Sequence, residues 1–479
     1  MDDCHREARD LSAVASAKEE ARRGDPSGLL RPPQTRAPRN DSPKATEHWH
    51  YGNANDTAPA EAIALAVTRA SVAWLCAANL VGVLLASLLL WPDAGNWLAP
   101  LTYGRWMPLH TDFQLYGWCA LPVAGVLLAA YLPRSRRGVL HARVALIAWS
   151  AALVASGADW LGGGASGKLF VEWSGAARFL FPAALSLLWV VLADGWWINR
   201  TRFSVAGRWF TGLVLAGLFL VPSILYLSSS ATVFPAVNPH SGGATGTSLL
   251  GSSLGIIVIF LACPALLSRP VRAGANHRRA WPVWAWLAVS AIAFVLAGHG
   301  NASHHAAGQI AALAILLPWP LLVAAHWVRY EWTEGSSRWL VAALAWGFVL
   351  TVSGFLTFLP GTSERLKFTD ALVAHAHLAM AGMLTSINVV LLLNLGGRRS
   401  APRALGAPTL FWLWQAGCAI HVVVLSWLGW LEGANPSLLH EGGWIVDAGY
   451  HVRLFSGLLM TAAAVGWLWK LTLGRRAPQ

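Results

Sequence analysis

The chain has 479 residues, of which 55% are hydrophobic and only 12% are charged, and it contains 28 tryptophans. This composition excludes a soluble globular domain and is typical of a polytopic membrane protein, in which indole rings favour the membrane interfaces. The formal net charge of +12 does not indicate a nucleic-acid partner, because the basic residues lie mainly in the connections between apolar segments.

The first part of the chain is polar. Residues 1–65 carry mixed charge and several prolines and contain no apolar run long enough for a signal peptide. We predict that residues 1–65 form a disordered cytoplasmic tail, because such a segment cannot bury enough apolar surface to fold. The five cysteines are scattered and no Cys-x-x-Cys-His motif occurs. The sequence therefore indicates neither a disulfide framework nor a covalently bound c-type haem.

Twelve apolar segments follow, each close to the roughly 20 residues that an α-helix needs to cross a bilayer. We predict an all-α polytopic membrane protein, with about twelve transmembrane helices in residues 66–479 and contact with membrane lipid. The predicted spans are Ser71–Trp91, Met107–Tyr131, His141–Trp160, Val171–Leu192, Trp209–Leu227, Gly243–Leu267, Trp281–Gly298, Ala306–Val328, Leu340–Leu359, Ala371–Leu393, Leu410–Trp430 and Tyr450–Leu473.

The basic residues are unequally divided between the two sides of these spans. The connections after the even-numbered spans and the end of the chain, counted with Arg143 and Lys470 just inside the neighbouring spans, hold 19 Lys and Arg residues, and the alternate connections, counted with Arg453, hold five. Because positive residues concentrate on the cytoplasmic side, this distribution places both termini in the cytoplasm.

Histidines gather at one depth of the membrane. With this orientation, seven of the 16 histidines lie near the outer face on four parts of the fold, a grouping that core packing does not require. Ionisable groups at membrane depth are usually functional. These seven are His110, His240, His299, His304, His305, His375 and His377. His421 lies midway along the eleventh span, and we interpret it as a hydrogen-bonded core residue or part of a proton path.

His375 and His377 lie at the start of the tenth span. Two residues two positions apart on a helix lie about 200° apart around its axis, at about 100° per residue. The two imidazoles therefore face opposite ways and can hold two separate planar cofactors, one on each side of the helix. The sequence predicts a diheme arrangement around this span. The alternative is a pair of polar residues at an interfacial helix end.

His110 lies near the start of the second span, at the same depth in the membrane as His375 and His377. A six-coordinate, low-spin haem needs axial ligands on both faces, and histidine nitrogen supplies them. We therefore predict His110 as the candidate partner of the pair on span ten.

Three motifs carry a family resemblance. They are Pro108-Leu109-His110-Thr111 in span two, Thr369-Asp370 followed by His375-x-His377 in span ten, and Tyr450-x-x-Arg453-Leu454-x-x-Gly457 in the last span. Together with the twelve-span layout, they resemble subunit I of the heme-copper oxidases, and most closely the C-type, or cbb-type, cytochrome c oxidases. The resemblance covers residues 70–475.

The resemblance implies a role for each of these histidines. His110 and His377 would be the axial ligands of a low-spin haem b, and His375 would be the proximal, catalytic-site ligand of a high-spin haem b. Such a subunit passes electrons from a c-type cytochrome or a haem c subunit to dioxygen, which is reduced to water in aerobic respiration. The implied location is the bacterial cytoplasmic membrane.

The second metal is where the sequence departs from the family. The resemblance implies a copper ion opposite the high-spin iron, held by one histidine of span six and an adjacent pair at the end of span seven. The candidates are His240 with His304 and His305, and imidazole suits copper, but all three are displaced from the family's positions. His299 is an alternative ligand. A further alternative is that the chain binds no second metal.

A tyrosine expected on span seven of C-type oxidases is missing, because no tyrosine occurs between Tyr226 and Tyr330. Two other functions therefore stay open. One is an enzyme similar to nitric oxide reductases, which are expected to keep carboxylates beside a non-haem iron, although spans six and seven contain no Asp or Glu. The other is a non-catalytic haem b protein for electron transfer or gas sensing, without the second metal.

Overall fold

A computed structural model describes residues 57–164, 166–230, 233, 245–267, 281–300, 302–395 and 404–473. These residues form helices and connecting turns, and they contain no β-strand. The predicted all-α class is therefore confirmed. Most of the predicted tail, residues 1–56, lies outside the described part of the chain.

Twelve helices among the described residues correspond to the twelve predicted spans. We label them α1 (Thr57–Leu90), α2 (Tyr103–Tyr131), α3 (Arg136–Leu161), α4 (Ala177–Asn199), α5 (Val205–Ser228), α6 (Gly246–Leu267), α7 (Trp281–Leu296), α8 (Ala307–Trp327), α9 (Ser337–Phe358), α10 (Asp370–Leu395), α11 (Pro408–Ala434) and α12 (Trp444–Leu473). Shorter helical turns lie in the connections at Ala94–Trp97, Arg200–Arg202, Glu334–Ser336, Thr362–Leu366 and Leu438–Glu441.

Helix α7 differs from its prediction. Eleven of the twelve helices are long and apolar enough to cross a membrane, but α7 has only 16 residues. At about 1.5 Å per residue it spans roughly 24 Å, less than the roughly 30 Å of hydrocarbon. The predicted span ran to Gly298, but the helix ends two residues earlier, ahead of Gly300, whose positive φ of 73° is incompatible with a continuing helix.

Helix α1 begins earlier than predicted, at Thr57 rather than Ser71. Residues 58–70 are rich in alanine, which has the highest helix propensity, and Ile63, Ala64 and Val67 are buried. Residues 57–65, which we assigned to the tail, are therefore helical.

Two of the long helices change their winding next to the candidate histidines. In α2 a π-helical segment, Phe113–Cys119, begins three residues after His110. In α10 a second one, Leu378–Leu384, begins directly after His377. Such π segments are rare and are frequently found at functional sites. Both π segments therefore lie in the region of the bundle that contains His110 and His377.

Buried polar contacts connect the π segment of α2 to α10. The Trp118 indole donates a hydrogen bond to Thr385 Oγ1 at 2.8 Å, and Asn388 Nδ2 donates to the Trp118 carbonyl at 3.0 Å. All three residues are at most 1% exposed. Because buried polar groups need partners, these bonds fix the register between α2 and α10. They therefore set how His110 lies relative to His377.

Helix α10 is surrounded by other helices. It packs against α2, α9 and α11, while α1 and α11 both pack against α12. The second half of α10 is part of the core, and its residues Val389, Val390, Leu391, Leu392 and Leu393 have no exposed surface. The first half carries His375 and His377, so the candidate site lies on the best-enclosed helix of the bundle.

The orientation derived from the basic residues can be tested by cysteine labelling. In a Cys4→Ser background, we expect Trp97→Cys, between α1 and α2, to react with a membrane-impermeant maleimide on intact cells. Ser135→Cys, between α2 and α3, should react only after permeabilisation. Trp97 is 90% exposed, and the other native cysteines are buried and should stay silent. The opposite labelling pattern would overturn the predicted orientation.

Candidate functional site

His110 of α2 and His377 of α10 face each other. Their ring centroids are 6.1 Å apart and their planes differ by 26°. Histidine nitrogen binds metal ions such as zinc at about 2.0–2.1 Å, so two rings that bind one ion from opposite sides have centroids about 6 Å apart. The separation of these two imidazoles therefore fits a single metal ion between them.

Hydrogen bonds fix the orientation of both rings. His110 Nδ1 lies 2.8 Å from the Ala78 carbonyl of α1, and His377 Nδ1 lies 2.8 Å from the Val373 carbonyl. A carbonyl only accepts, so each Nδ1 carries the proton and each Nε2 keeps its lone pair. No described residue hydrogen-bonds to either Nε2. This tautomer leaves Nε2 free to bind a metal ion.

A glycine makes room for the His110 ring. A Cβ at Gly82 of α1 would lie 2.6 Å from His110 Cε1 and 2.8 Å from His110 Nδ1, distances that real Cβ atoms do not adopt. Only glycine therefore allows α1 to approach the imidazole closely enough for the bond to Ala78.

His421 of α11 is a third imidazole at this site. Its Nδ1 lies 2.8 Å from Ser456 Oγ, which itself donates to the Arg453 carbonyl, so His421 Nδ1 carries the proton. Its Nε2 is buried and has no partner among the described residues. The hydrogen bond agrees with our core interpretation, but the ring centroid lies only 4.3 Å from that of His377. That separation is too short for a metal ion between His377 and His421.

These rings open on a cavity of about 360 Å³ between α1, α2, α10, α11 and α12. Arg453 of α12 also lines it and forms an ion pair with Asp370, with Nη1 3.3 Å from Oδ1. The Asp370 backbone N–H in turn donates to Glu432 at 2.8 Å. A cationic guanidinium thus stands at the wall of an otherwise largely apolar cavity, where it suits an anionic group of a bound ligand.

His375 lies on the opposite side of α10, as the helical spacing predicted. It faces α9, where Ser353 Oγ lies 3.4 Å from its Nδ1 and a Cβ at Gly354 would come within 3.3 Å of its Nε2. It lines a second and larger cavity of about 940 Å³, which Lys367 and His304 also line. The structure therefore places one candidate haem ligand, His375, on this side of α10 and two, His110 and His377, on the other.

Among the described residues, the pair His304 and His305 meets a carboxylate. Its ring centroids are 4.0 Å apart, and His305 Nε2 lies 2.5 Å from Glu364 Oε1. One ligand atom from each of the three residues lies within 4.8 Å of the others. Glu364 was not predicted, because it belongs to the connection before α10 and not to spans six or seven.

One of the two remaining predicted metal ligands does not join this group. His299 is not among the clustered ligand atoms, and its ring packs against Phe294 at 5.1 Å. The variant copper site that included His299 is therefore not the one that the structure assembles. His240 lies outside the described residues.

The protonation states of the group suit metal binding. Burial lowers the pKa of His304, and the neighbouring His305 and Lys367 side chains lower it further, while the Glu364 carboxylate acts in the opposite direction. Hydrogen bonds from the backbone N–H groups of Glu364 itself and of Gly361 lower the pKa of the Glu364 carboxyl. At neutral pH the first is a neutral imidazole and the second an anionic carboxylate, and both forms are metal ligands.

Comparison with known proteins gives one informative relative. No protein-family model matches the sequence. The chain is similar to the cbb3-type cytochrome c oxidase subunit CcoN1 of Stutzerimonas stutzeri, with 22% identity over 445 residues that cover 82% of this chain and 90% of the relative. The similarity supports relatedness to subunit I of the heme-copper oxidases. It also supports haem cofactors in general and, with the eleven long apolar helices, a multi-pass protein of the bacterial inner membrane.

We expect Gly82→Ala to displace the His110 ring and reduce the six-coordinate haem signal in the reduced absorbance spectrum by at least about tenfold, because loss of a ligand-orienting contact typically lowers metal affinity by about 10–100-fold. Gly255→Ala in α6 is a matched control, since a Cβ there meets nothing within 4 Å. An unchanged spectrum in Gly82→Ala would show that the close approach of α1 does not matter for haem binding.

Proposed function

We propose that this chain is the catalytic subunit of a terminal oxidase that resembles cytochrome c oxidase. It would bind a low-spin haem b through His110 and His377 and a high-spin haem b through His375. When bound, these groups would supply electron transfer and the reduction of dioxygen to water. The electron donor would be a c-type cytochrome or a haem c subunit on another chain.

The 6.1 Å separation of the His110 and His377 rings carries this proposal. Three imidazoles at the smaller cavity have a free Nε2, and the pair from α2 and α10 has the spacing of two axial ligands, whereas His377 and His421 lie too close together. The same two histidines belong to the motifs that resemble heme-copper oxidases. The position of the two histidines in the motifs, the tautomer of each ring and the distance between the rings thus all support His110 and His377 as a ligand pair.

Other residues of the smaller cavity support the binding of a haem. Haem b is apolar over most of its surface and carries two carboxylates at one edge. Arg453 offers a guanidinium to such a carboxylate, and its ion pair with Asp370 holds it in place. The hydrogen bonds of His110 and His377 to backbone carbonyls also make both Nε2 atoms better electron donors.

The larger cavity suits a centre with an exchangeable position. His375 is the one imidazole on the α10 wall of this cavity, and Ser353 lies near its Nδ1. Because His375 would bind the haem iron on one face only, the other face of the haem would be free for a gas molecule. His304 opens on the same space, so a metal ion bound by His304 and His305 would face it.

Absorbance spectroscopy tests the proposal. We expect the purified chain to show a reduced haem b spectrum, and carbon monoxide to perturb only the part that belongs to the haem at His375, because only that haem has an open position. The preparation should consume dioxygen with a reduced c-type cytochrome as donor. A spectrum insensitive to carbon monoxide, or consumption of nitric oxide without consumption of dioxygen, would contradict an oxidase.

Substitution separates the two haems. We expect His377→Ala to abolish the low-spin signal and leave carbon monoxide binding in place, and His375→Ala to abolish carbon monoxide binding while sparing the low-spin signal. His451→Ala is the control, because this histidine is exposed and bonds only to the backbone of its own helix. The reverse assignment of the two signals would overturn the proposed ligands.

A further inference from the structure

We infer that His421 of α11 lowers the reduction potential of the haem held by His110 and His377. It acts through the lone pair on its Nε2 and does not bind the iron. The inference rests on the proposed function, because it needs a haem in the smaller cavity. It concerns the potential of that haem and not the reaction at His375.

His421 is a buried histidine with one ring nitrogen unused. The residue is only 5% exposed, and the five helices around the smaller cavity are described along their whole length. Its Nδ1 donates a hydrogen bond to Ser456 Oγ at 2.8 Å, whereas its Nε2 has no partner among the described residues. A buried polar atom without a partner is rare and needs an explanation. Because His421 lines the smaller cavity, we look for that explanation in the group that the cavity binds.

Ser456 of α12 fixes the tautomer of His421. The Ser456 hydroxyl donates to the Arg453 carbonyl at 2.7 Å, so its oxygen accepts the proton of His421 Nδ1. A second proton on Nε2 would create a cation in an apolar interior, next to the Arg453 guanidinium that lines the same cavity. The ring is therefore neutral, and its lone pair on Nε2 is the negative end of its dipole. Since Nδ1 is bonded to α12, the Nε2 edge is the one left to the cavity.

This dipole lies beside one of the two proposed iron ligands. The ring centroid of His421 is 4.3 Å from that of His377, which is 6.1 Å from that of His110. A haem iron carries one more positive charge in its oxidised form than in its reduced form. In a low-dielectric interior, the negative end of a nearby dipole therefore stabilises the oxidised form. Polar groups around the ligands are one of the means by which a protein sets the potential of a haem.

Two simpler roles explain less. Packing against His377 needs only a flat ring, and phenylalanine would supply it without a bare nitrogen in the core. Packing also gives no reason for a buried serine that fixes the tautomer. A third metal ligand does not fit the distances, because His110, His377 and His421 do not form a group of ligand atoms within 4.8 Å of one another among the described residues.

A redox titration of the purified, haem-loaded full chain tests the inference, with the low-spin haem followed by its reduced absorbance band. His421→Phe keeps a flat ring and removes both nitrogens. We expect it to shift the equilibrium toward the reduced haem by about tenfold, which for one electron raises the potential by about 59 mV.

Ser456→Ala changes the tautomer and leaves the imidazole in place. Without its acceptor, the proton of His421 moves to Nε2 in part of the molecules, and the positive end of the dipole then faces the haem. We expect the potential to rise here too, by at least about threefold in the same equilibrium. This variant removes a single buried oxygen and serves if His421→Phe does not fold.

Ser186→Ala in α4 is the matched control. The Ser186 hydroxyl donates to the Pro182 carbonyl of its own helix, and Ser186 lines neither cavity, so its substitution should leave the potential unchanged. Electron paramagnetic resonance of the oxidised haem gives a second readout, because the g values of a low-spin haem depend on its axial ligands and on the angle between their planes. We expect the same g values in His421→Phe as in the unaltered chain, since His110 and His377 stay bound.

An unchanged or lower potential in His421→Phe, or in Ser456→Ala where His421→Phe does not fold, would overturn the inference. A potential that rises only together with changed g values would show that His421 merely holds the His377 ring, and would overturn the role of the lone pair. The proposed function fails in a different way. An unaltered chain that binds no low-spin haem would overturn both proposals, whereas a bound low-spin haem whose potential is insensitive to His421 and Ser456 would overturn this inference alone.

Discussion

The candidate site depends on two hydrogen bonds from imidazole Nδ1 to backbone carbonyls. They fix His110 against α1 and His377 against the preceding turn of α10, and they leave both Nε2 lone pairs free. The bonds are possible only because the helices lie close together. Gly82 lets α1 reach the His110 ring, and the contacts of Trp118 and Asn388 hold α2 and α10 in register. Helix packing in the core thus determines the distance between the two rings, which is the quantity that decides whether they can share one iron.

The local part of this arrangement could be predicted from the sequence. The spacing of His375 and His377 determines that they face opposite sides of a helix whatever the rest of the chain does, because the angle per residue is a property of the helix itself. The order and approximate position of the spans follow from apolar length in the same way. Helix ends were less predictable. The first helix continues into an alanine-rich stretch that is not hydrophobic enough to be identified as a membrane span, and the seventh ends early at a glycine-rich turn.

Contacts between distant connections could not be predicted. The meeting of Glu364 with His305 joins residues about sixty positions apart, and neither connection has a periodic pattern that indicates its partner. Glu364 lies outside spans six and seven, so the composition of those spans does not indicate it. The same limit applies to His421. The sequence shows a histidine midway along a span, but only the structure shows that its ring lies 4.3 Å from that of His377. Distance, rather than residue type, distinguishes an axial ligand from a neighbouring imidazole.

The two sides of α10 differ chemically, and under the proposed function this difference would set the direction of electron transfer. The smaller cavity holds two opposed imidazoles and a guanidinium, so an iron there would be saturated by protein ligands and suited to electron transfer. The cavity of about 940 Å³ has one imidazole, His375, on its α10 wall, so an iron bound there would keep a free position. Under the proposed function, electrons that pass from the saturated side to the open side would cross only the one helix that carries both ligands.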